Sequence, residues 1–203
     1  MLIGFAGKMG TGKTTLATMV EHMLHNINFH EVARISFGDA VKQEVSEKYG
    51  FPIGLCYSQE GKQTELDTKN IPTGLLPIRV RIDGEPLTVR GAMQFYATEI
   101  VRSLDDDYWV RKLAKVVLDE ESPVRLFLID DVRFPNEYKF VRQHGVCYSI
   151  APYNGWQPGK YADHSSETGL DGCQFDHIFR PDYGQLADRA ENIVARIRML
   201  YSV

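Results

Sequence analysis

At 203 residues, with 43% hydrophobic and 25% charged content, the chain has the length of one medium domain and the composition of an ordinary water-soluble globular protein. A net charge of −4 speaks against a broad nucleic-acid-binding surface, and no apolar stretch approaches the roughly 20 residues that span a bilayer. The three cysteines, Cys56, Cys147 and Cys173, lack CxxC spacing, which argues against a disulfide framework or a zinc site and suits a reducing cytoplasm. No signal peptide is expected, because the apolar start runs straight into a glycine loop.

Leu2–Ala6 reads as a short buried strand. Gly7-Lys8-Met9-Gly10-Thr11-Gly12-Lys13-Thr14 follows it and has the spacing G-x-x-x-x-G-K-T of a phosphate-binding P-loop. Residues 14–24 are helical, with Leu16, Met19 or Val20, Met23 and Leu24 on one face. Strand, glycine loop and helix is the order the motif needs. The glycines let successive N–H groups turn inward, and the helix start adds partial positive charge. Gly10, Thr11, Gly12, Lys13, Thr14 and Thr15 are therefore the candidate ATP-binding residues. The Lys13 ammonium can reach the β- and γ-phosphates, and the Thr14 hydroxyl can ligate Mg²⁺. A chance glycine turn is the bland alternative, and the flanking elements decide against it.

Further along, Val32–Ser36 is the second strand, and a helix runs from about Asp39 through Tyr49 to Gly50. Residues 51–88 are rich in proline and glycine. Within them Ile78-Arg79-Val80-Arg81-Ile82 alternates and meets Asp83-Gly84, which predicts a hairpin. Thr88 is the expected N-cap of a helix through Arg102. Another helix, from Tyr108 to about Leu118, should bury Trp109, Leu113, Val116 and Val117. The third strand, Val124–Ile129, should end at Asp130-Asp131. Pro135 suits the first turn of a helix that stops at Gly145. Val146–Ile150 is the fourth strand, with Cys147 in the core. A polar loop, 151–174, a short strand at 177–179 and a helix from about Tyr183 to Leu200 complete the chain. Such alternation predicts an α/β fold with a five-stranded parallel sheet and helices on both faces, its ligands at the carboxyl ends of the strands.

Three more groups of residues carry candidate chemistry. Asp130 and Asp131 at the end of a strand beside the P-loop strand can orient Mg²⁺, and Arg133 can neutralise charge on a transferring phosphate. The plain alternative is an aspartate-rich turn with a surface ion pair; a P-loop in the same sheet reverses the odds. Arg90, Gln94, Thr98 and Arg102 recur every fourth residue and should line one side of a helix, as would suit a phosphate and a base edge, or simply water. Phe37, Asp39 and Lys42 open the helix after the second strand, where an aromatic ring can stack on a base or close the core. In the late loop, Lys160, His164, Ser166 and Glu167 suit a lid that excludes water. His164 has no partner at metal-ligand spacing.

On these residues the chain resembles a phage-type deoxynucleoside monophosphate kinase, within the P-loop nucleotide-kinase group. The matching pieces are Gly7–Thr15, Ser36-Phe37-Gly38-Asp39-Ala40-Val41-Lys42, Arg90 with Gln94 and Thr98-Glu99, Asp107-Tyr108-Trp109-Val110, Asp131-Val132-Arg133 with Glu137, and residues His164 to Leu170. Some members carry basic residues where this chain has Met9-Gly10 and an acidic one where it has Thr14. The resemblance implies transfer of the ATP γ-phosphate to a deoxynucleoside 5′-monophosphate, with ATP and Mg²⁺ as cofactors. Lys13, Arg133 and Asp131 would be catalytic. Thr14, Asp131 and Asp130 would serve the metal, and Phe37, Asp39, Lys42, Arg90, Gln94, Thr98 and Arg102 the acceptor. The expected organisation is one P-loop kinase domain over 1–203, with an acceptor-binding insertion at about 51–102 and a lid at about 151–174. Expected partners are small nucleotides, with neither nucleic acid nor membrane, and a homodimer is compatible with the sequence. The competing readings are a kinase of another phosphorylated acceptor, such as phosphomevalonate, and a nucleotide-binding switch. The switch is disfavoured by the lack of an Asn-Lys-x-Asp guanine-reading segment.

Overall fold

The computed structural model describes residues 1–158, 163–175, 177–180 and 185–201. They divide into two compact units, the first formed by Met1–Phe37 with the stretch from Leu113 onward, the second by Gly38–Lys112.

The first unit holds a five-stranded sheet of β1 (Leu2–Ala6), β2 (Val32–Ile35), β3 (Leu126–Val132), β4 (Gly145–Ile150) and β5 (His177–Phe179). The spatial order is β2-β3-β1-β4-β5, and every pairing is parallel. The P-loop strand is therefore central. The chain passes from β1 to the edge strand β2, returns through β3 beside β1, and then crosses to run outward through β4 and β5, so the carboxyl end of β1 lies at the switch of direction where α/β sheets bind ligands. All five residues of β1 are buried, which is why it reads as a continuous apolar run.

Alternation along β1 distributes the helices. Ile3 and Phe5 join a core with Leu16, Val20 and Leu24 of α1 (Lys13–Asn26) and Ile193, Val194 and Ile197 of α9 (Leu186–Tyr201). Gly4 points the other way, where a Cβ would lie 2.8 Å from the Val141 side chain of α7 (Pro135–His144). Helices thus cover both faces, as the period-two geometry of a strand requires. On α1 the buried stripe uses Val20 rather than Met19. Cys147 is fully buried, as expected of a core thiol.

Gly145 pairs with Leu2 at the start of β4. A Cβ there would come within 1.8 Å of the Leu2 carbonyl oxygen, a backbone atom that cannot move without breaking the central pairing. Gly145→Ala should therefore lower stability by about 3 kcal/mol, or roughly 6–12 °C in Tm. Thermal unfolding reads this directly; an unchanged Tm would mean that the strand pair yields to accommodate the added methyl.

The second unit is helical. It contains most of α2 (Phe37–Tyr49), then α3 (Gln59–Gln63), α4 (Ile78–Ile82), α5 (Val89–Gln94), a π-helix over Phe95–Arg102, and the first half of α6 (Tyr108–Val117). Its core gathers Val41, Val45 and Tyr49 of α2 with Leu87, Val89, Tyr96 and Trp109. Beside it, Glu44 accepts hydrogen bonds from the hydroxyls of Tyr108 at 2.8 Å and Tyr96 at 3.1 Å and pairs with Lys112 at 2.9 Å.

Several sequence expectations need correction. Residues 78–82 form α4, not a hairpin strand. Pro77 sits at its N-cap, and Gly84 has φ 69°, so Asp83-Gly84 ends a helical turn rather than linking two strands. Ile78 and Ile82, four apart, share an exposed side, while Val80 packs toward the core. Val116 of α6 is exposed. Trp109 and Leu113, four residues apart, are buried as expected. Thr88 caps α5 as expected, its hydroxyl accepting from the Gly91 N–H at 3.1 Å, but from Phe95 the helix widens to i→i+5 pairing. Beside that change the fully buried Trp109 donates its indole N–H to the Ala97 carbonyl at 3.1 Å, which helps satisfy a carbonyl in the altered ladder.

Candidate functional site

The P-loop is built by glycine. Gly7, Gly10 and Gly12 all have positive φ, at 139°, 80° and 94°. At Gly7 a Cβ would also lie 2.4 Å from the Ile150 carbonyl oxygen, so the loop can leave β1 this way only without a side chain. The turn is then fixed by one carbonyl. The oxygen of Lys8 accepts from the Thr11 N–H at 3.3 Å, the Thr11 hydroxyl at 2.9 Å and the Lys13 ammonium at 2.7 Å. Thr11 is accordingly buried, and its side chain maintains the loop. Thr14 and Thr15 are exposed on the first turn of α1.

Lys13 is only 6% exposed. Burial, and then the nearby Arg133 guanidinium, push its pKa down to about 8, while the carboxylates of Glu167, Asp131 and Asp130 oppose the shift.

β3 extends to Val132, so Asp130 and Asp131 lie within the strand rather than after it. The pairing of β1 with β3 skips here: Gly4 faces Ile129 but Ala6 faces Val132. Asp130 and Asp131 thus sit opposite the single residue Phe5. Such a bulge re-aims side chains at the end of a sheet. Asp131 accepts from the Phe37 backbone N–H at 2.8 Å, and the Phe37 ring itself is buried, with 3% exposure. Arg133 follows directly. Its own N–H donates to Glu137, which is buried at the start of α7 and also accepts from the Phe134 N–H.

The loop after β4 docks on the P-loop. Its short helix α8 (Ser165–Thr168) is capped by His164, whose Nδ1 accepts from the Ser166 N–H at 3.1 Å. Glu167 accepts from the Met9 N–H at 2.6 Å and forms an ion pair with Arg133; Arg133 Nη1 also donates to the Ser166 carbonyl at 3.3 Å. Lys8 donates to the Glu167 carbonyl at 2.6 Å and pairs with Asp171. From the other side the Trp156 indole donates to the Met9 carbonyl at 2.9 Å. Lys160 lies outside the described residues. Lys8, Met9, Trp156 and Asp171 were not singled out from sequence. Three of them act through, or upon, backbone groups of the loop, which no residue pattern marks.

The structure thus brings the P-loop, Asp131, Arg133, His164, Ser166 and Glu167 together in the first unit. Phe37 and Asp130 belong to that unit as well, and Asp39, Lys42, Arg90, Gln94, Thr98 and Arg102 belong to the second. There Asp39 and Lys42 form an i,i+3 ion pair at 2.7 Å, and Lys42 lies 4.9 Å from the Tyr57 ring centre. Arg90 donates to Gln59 at 2.6 Å. Arg102 is buried, with 9% exposure, and donates to the Asp106 carbonyl at 3.0 Å. It ties the end of the π-helix to the following turn. Along the expected stripe, Arg90, Gln94 and Thr98 are partly exposed, whereas Arg102 at its end is buried.

Hard oxygen donors suit Mg²⁺. An exposed threonine hydroxyl on α1 and carboxylates at the end of the neighbouring strand are the sparse protein contribution that Mg²⁺ takes when phosphate and water supply the rest. Among the described residues no three His, Cys, Asp or Glu side chains are grouped so as to hold a metal ion by themselves, and no described helix is long and apolar enough to cross a membrane.

Residues 34–192 match the family described as deoxynucleotide monophosphate kinase. The matched stretch begins after the P-loop, which is therefore a separate observation. No curated protein matches the chain. Among solved structures, shikimate kinase from Acinetobacter baumannii in complex with shikimate aligns at 12% identity and TM-score 0.42, covering 99% of this chain and 93% of that one. Shikimate kinase from Bacteroides thetaiotaomicron aligns at 14% identity and TM-score 0.42, covering 100% and 99%.

Proposed function

The chain belongs to the deoxynucleotide monophosphate kinase family, and from that premise we propose that it transfers the γ-phosphate of ATP to a deoxynucleoside 5′-monophosphate, giving the diphosphate and ADP. The observation that carries the reading is that the P-loop at the end of the central strand holds two cations: Lys13, bonded to the Lys8 carbonyl of the loop, and Arg133, tied to the Met9 N–H of the same loop through Glu167. Two cations at one phosphate-binding loop suit an anion of high charge, with Glu167 offsetting part of their repulsion until it binds.

A phosphate acceptor already carries nucleophilic oxygens, so no strong general base is needed. Catalysis then consists of placement and charge neutralisation. In this reading the N–H groups of Gly10 to Thr15 and the start of α1 hold the donor phosphates, Lys13 bridges the β- and γ-phosphates, and Arg133 spans the group in transit. Thr14 and Asp131, with Asp130, would hold Mg²⁺, which supplies further neutralisation of phosphate charge when bound. The lid segment 151–174 keeps water from the reacting phosphate. Phe37, Asp39, Lys42, Arg90, Gln94 and Thr98 are assigned to the acceptor side. Phe37 and Arg102 are the weakest members of that set, because the Phe37 ring is buried in the core rather than open to stack on a base, and the Arg102 guanidinium is committed to Asp106.

The deciding experiment is an acceptor panel in an ADP-release assay: the common dNMPs, the NMPs and phosphomevalonate. ADP release should depend on a dNMP. Release driven only by phosphomevalonate, or slow release indifferent to any acceptor, would replace this reading with one of its competitors.

Lys13 also gives the donor site a pH signature. In the free protein the ammonium starts to lose its proton as pH rises through about 8, whereas bound phosphates favour the charged form. Binding should therefore take up a proton above that pH, and nucleotide affinity should weaken between pH 7 and pH 9.5. Calorimetry in two buffers of different ionisation enthalpy measures the uptake. Affinity that is flat across this range would mean that Lys13 does not meet the phosphates.

A further inference from the structure

We infer that Glu167 is a positioning residue: it bolts the Arg133 guanidinium to the Met9 peptide of the P-loop and thereby aims Arg133 at the transferring phosphate. The inference rests on the kinase reading above and adds to it a residue that need not touch substrate.

Glu167 has the features of a fixed carboxylate rather than a surface charge. Its side chain is 6% exposed, while that of Arg133 is 28% exposed. One oxygen accepts the Met9 N–H, the other takes Arg133 Nη1, and its backbone carbonyl takes the Lys8 ammonium. Its place is set locally. His164 caps the turn that carries it, and Gly169 closes that turn against the Arg133 backbone, where a Cβ would lie 2.8 Å from the Arg133 carbonyl oxygen. The lid turn and the strand end are thus pressed together with Glu167 between them.

The use of Arg133 matters most. Both of its side-chain contacts, to Glu167 and to the Ser166 carbonyl, are made by Nη1. Nη2 and Nε make no hydrogen bond to a described residue. One corner of the guanidinium is anchored and the rest of the planar fork remains for a phosphate, which a flexible, unanchored arginine would meet only at a cost in rotamer entropy. The negative charge of Glu167 also offsets the mutual repulsion of Arg133 and Lys13, allowing both to address one phosphate.

The test is a double-mutant cycle on kcat with Glu167→Gln and Arg133→Lys. Glu167→Gln keeps the shape and removes the charge. It should lower kcat roughly ten- to hundredfold, as misaimed catalytic groups do, with KM for both substrates within about threefold. In the Arg133→Lys background the same change should cost less than about threefold, because the group it aims is already gone. Glu167→Asp, one methylene shorter, should restore part of the loss. Equal effects in both backgrounds, or a Glu167→Gln enzyme with wild-type kcat, would overturn the inference. If Glu167→Gln does not fold, as judged by circular dichroism, the cycle is run with Glu167→Asp, and the same non-additivity decides. Failure of the kinase reading itself has a different sign: the unmodified protein would release no dNMP-dependent ADP.

Discussion

Lys13→Ala should abolish phosphoryl transfer, by about three orders of magnitude or more, and leave the fold in place. The expected loss follows from removing a buried cation aimed at the β- and γ-phosphates, where such clamps contribute several kcal/mol. The fold should survive for a reason visible in the loop. The Lys8 carbonyl that receives the ammonium keeps two donors from Thr11, and the glycine conformations at residues 7, 10 and 12 do not depend on the lysine. Burial holds the ammonium below its ordinary pKa, so its removal relieves a desolvation cost, and thermal unfolding checks stability apart from activity. A well-folded variant retaining more than about a tenth of wild-type turnover would falsify the assignment.

The sequence carries the central part of this site because the P-loop is a local device. Its strand, glycines, lysine and helix are contiguous, and each has a physical requirement that selects residue types. The parallel sheet was legible for the same reason, since buried strands read as apolar runs and the helices as 3.6-residue periods. What failed was degenerate locally. Residues 78–82 alternate, yet five residues with a proline before them and Asp-Gly after them fit a helical turn equally well. Arg102, the last residue of the stripe that begins at Arg90, is taken up by the Asp106 carbonyl of the following turn, a partner that four-residue spacing does not name. Asp130 and Asp131 were placed after their strand because the β3 bulge is a property of register, which arises between strands. The link from Glu167 to the Met9 N–H crosses 158 residues of sequence. The segment containing Glu167 stood out as part of a lid, but nothing in its spacing named a backbone amide as its partner.

Arg133→Lys should lower kcat about a hundredfold or more while ATP affinity stays within about threefold. The substitution keeps the positive charge, so long-range attraction for phosphate changes little. What changes is the number of nitrogens. In the structure Nη1 is committed to Glu167 and the Ser166 carbonyl, and the other guanidinium nitrogens remain available. Lysine has one nitrogen for both tasks. If it keeps the Glu167 pair, it does not span the phosphate; if it turns to the phosphate, it leaves a buried carboxylate without its cation, at a cost of several kcal/mol. Ground-state ATP binding, held by the P-loop N–H groups and Lys13, has no such conflict. The loss should therefore appear in the transition state, where charge spreads over the group in transit. Measuring kcat by ADP release and affinity by calorimetry separates the two quantities. An unchanged kcat would return Arg133 to a structural ion pair with the lid, and equal losses in kcat and affinity would place it on the bound nucleotide rather than on the phosphate being transferred.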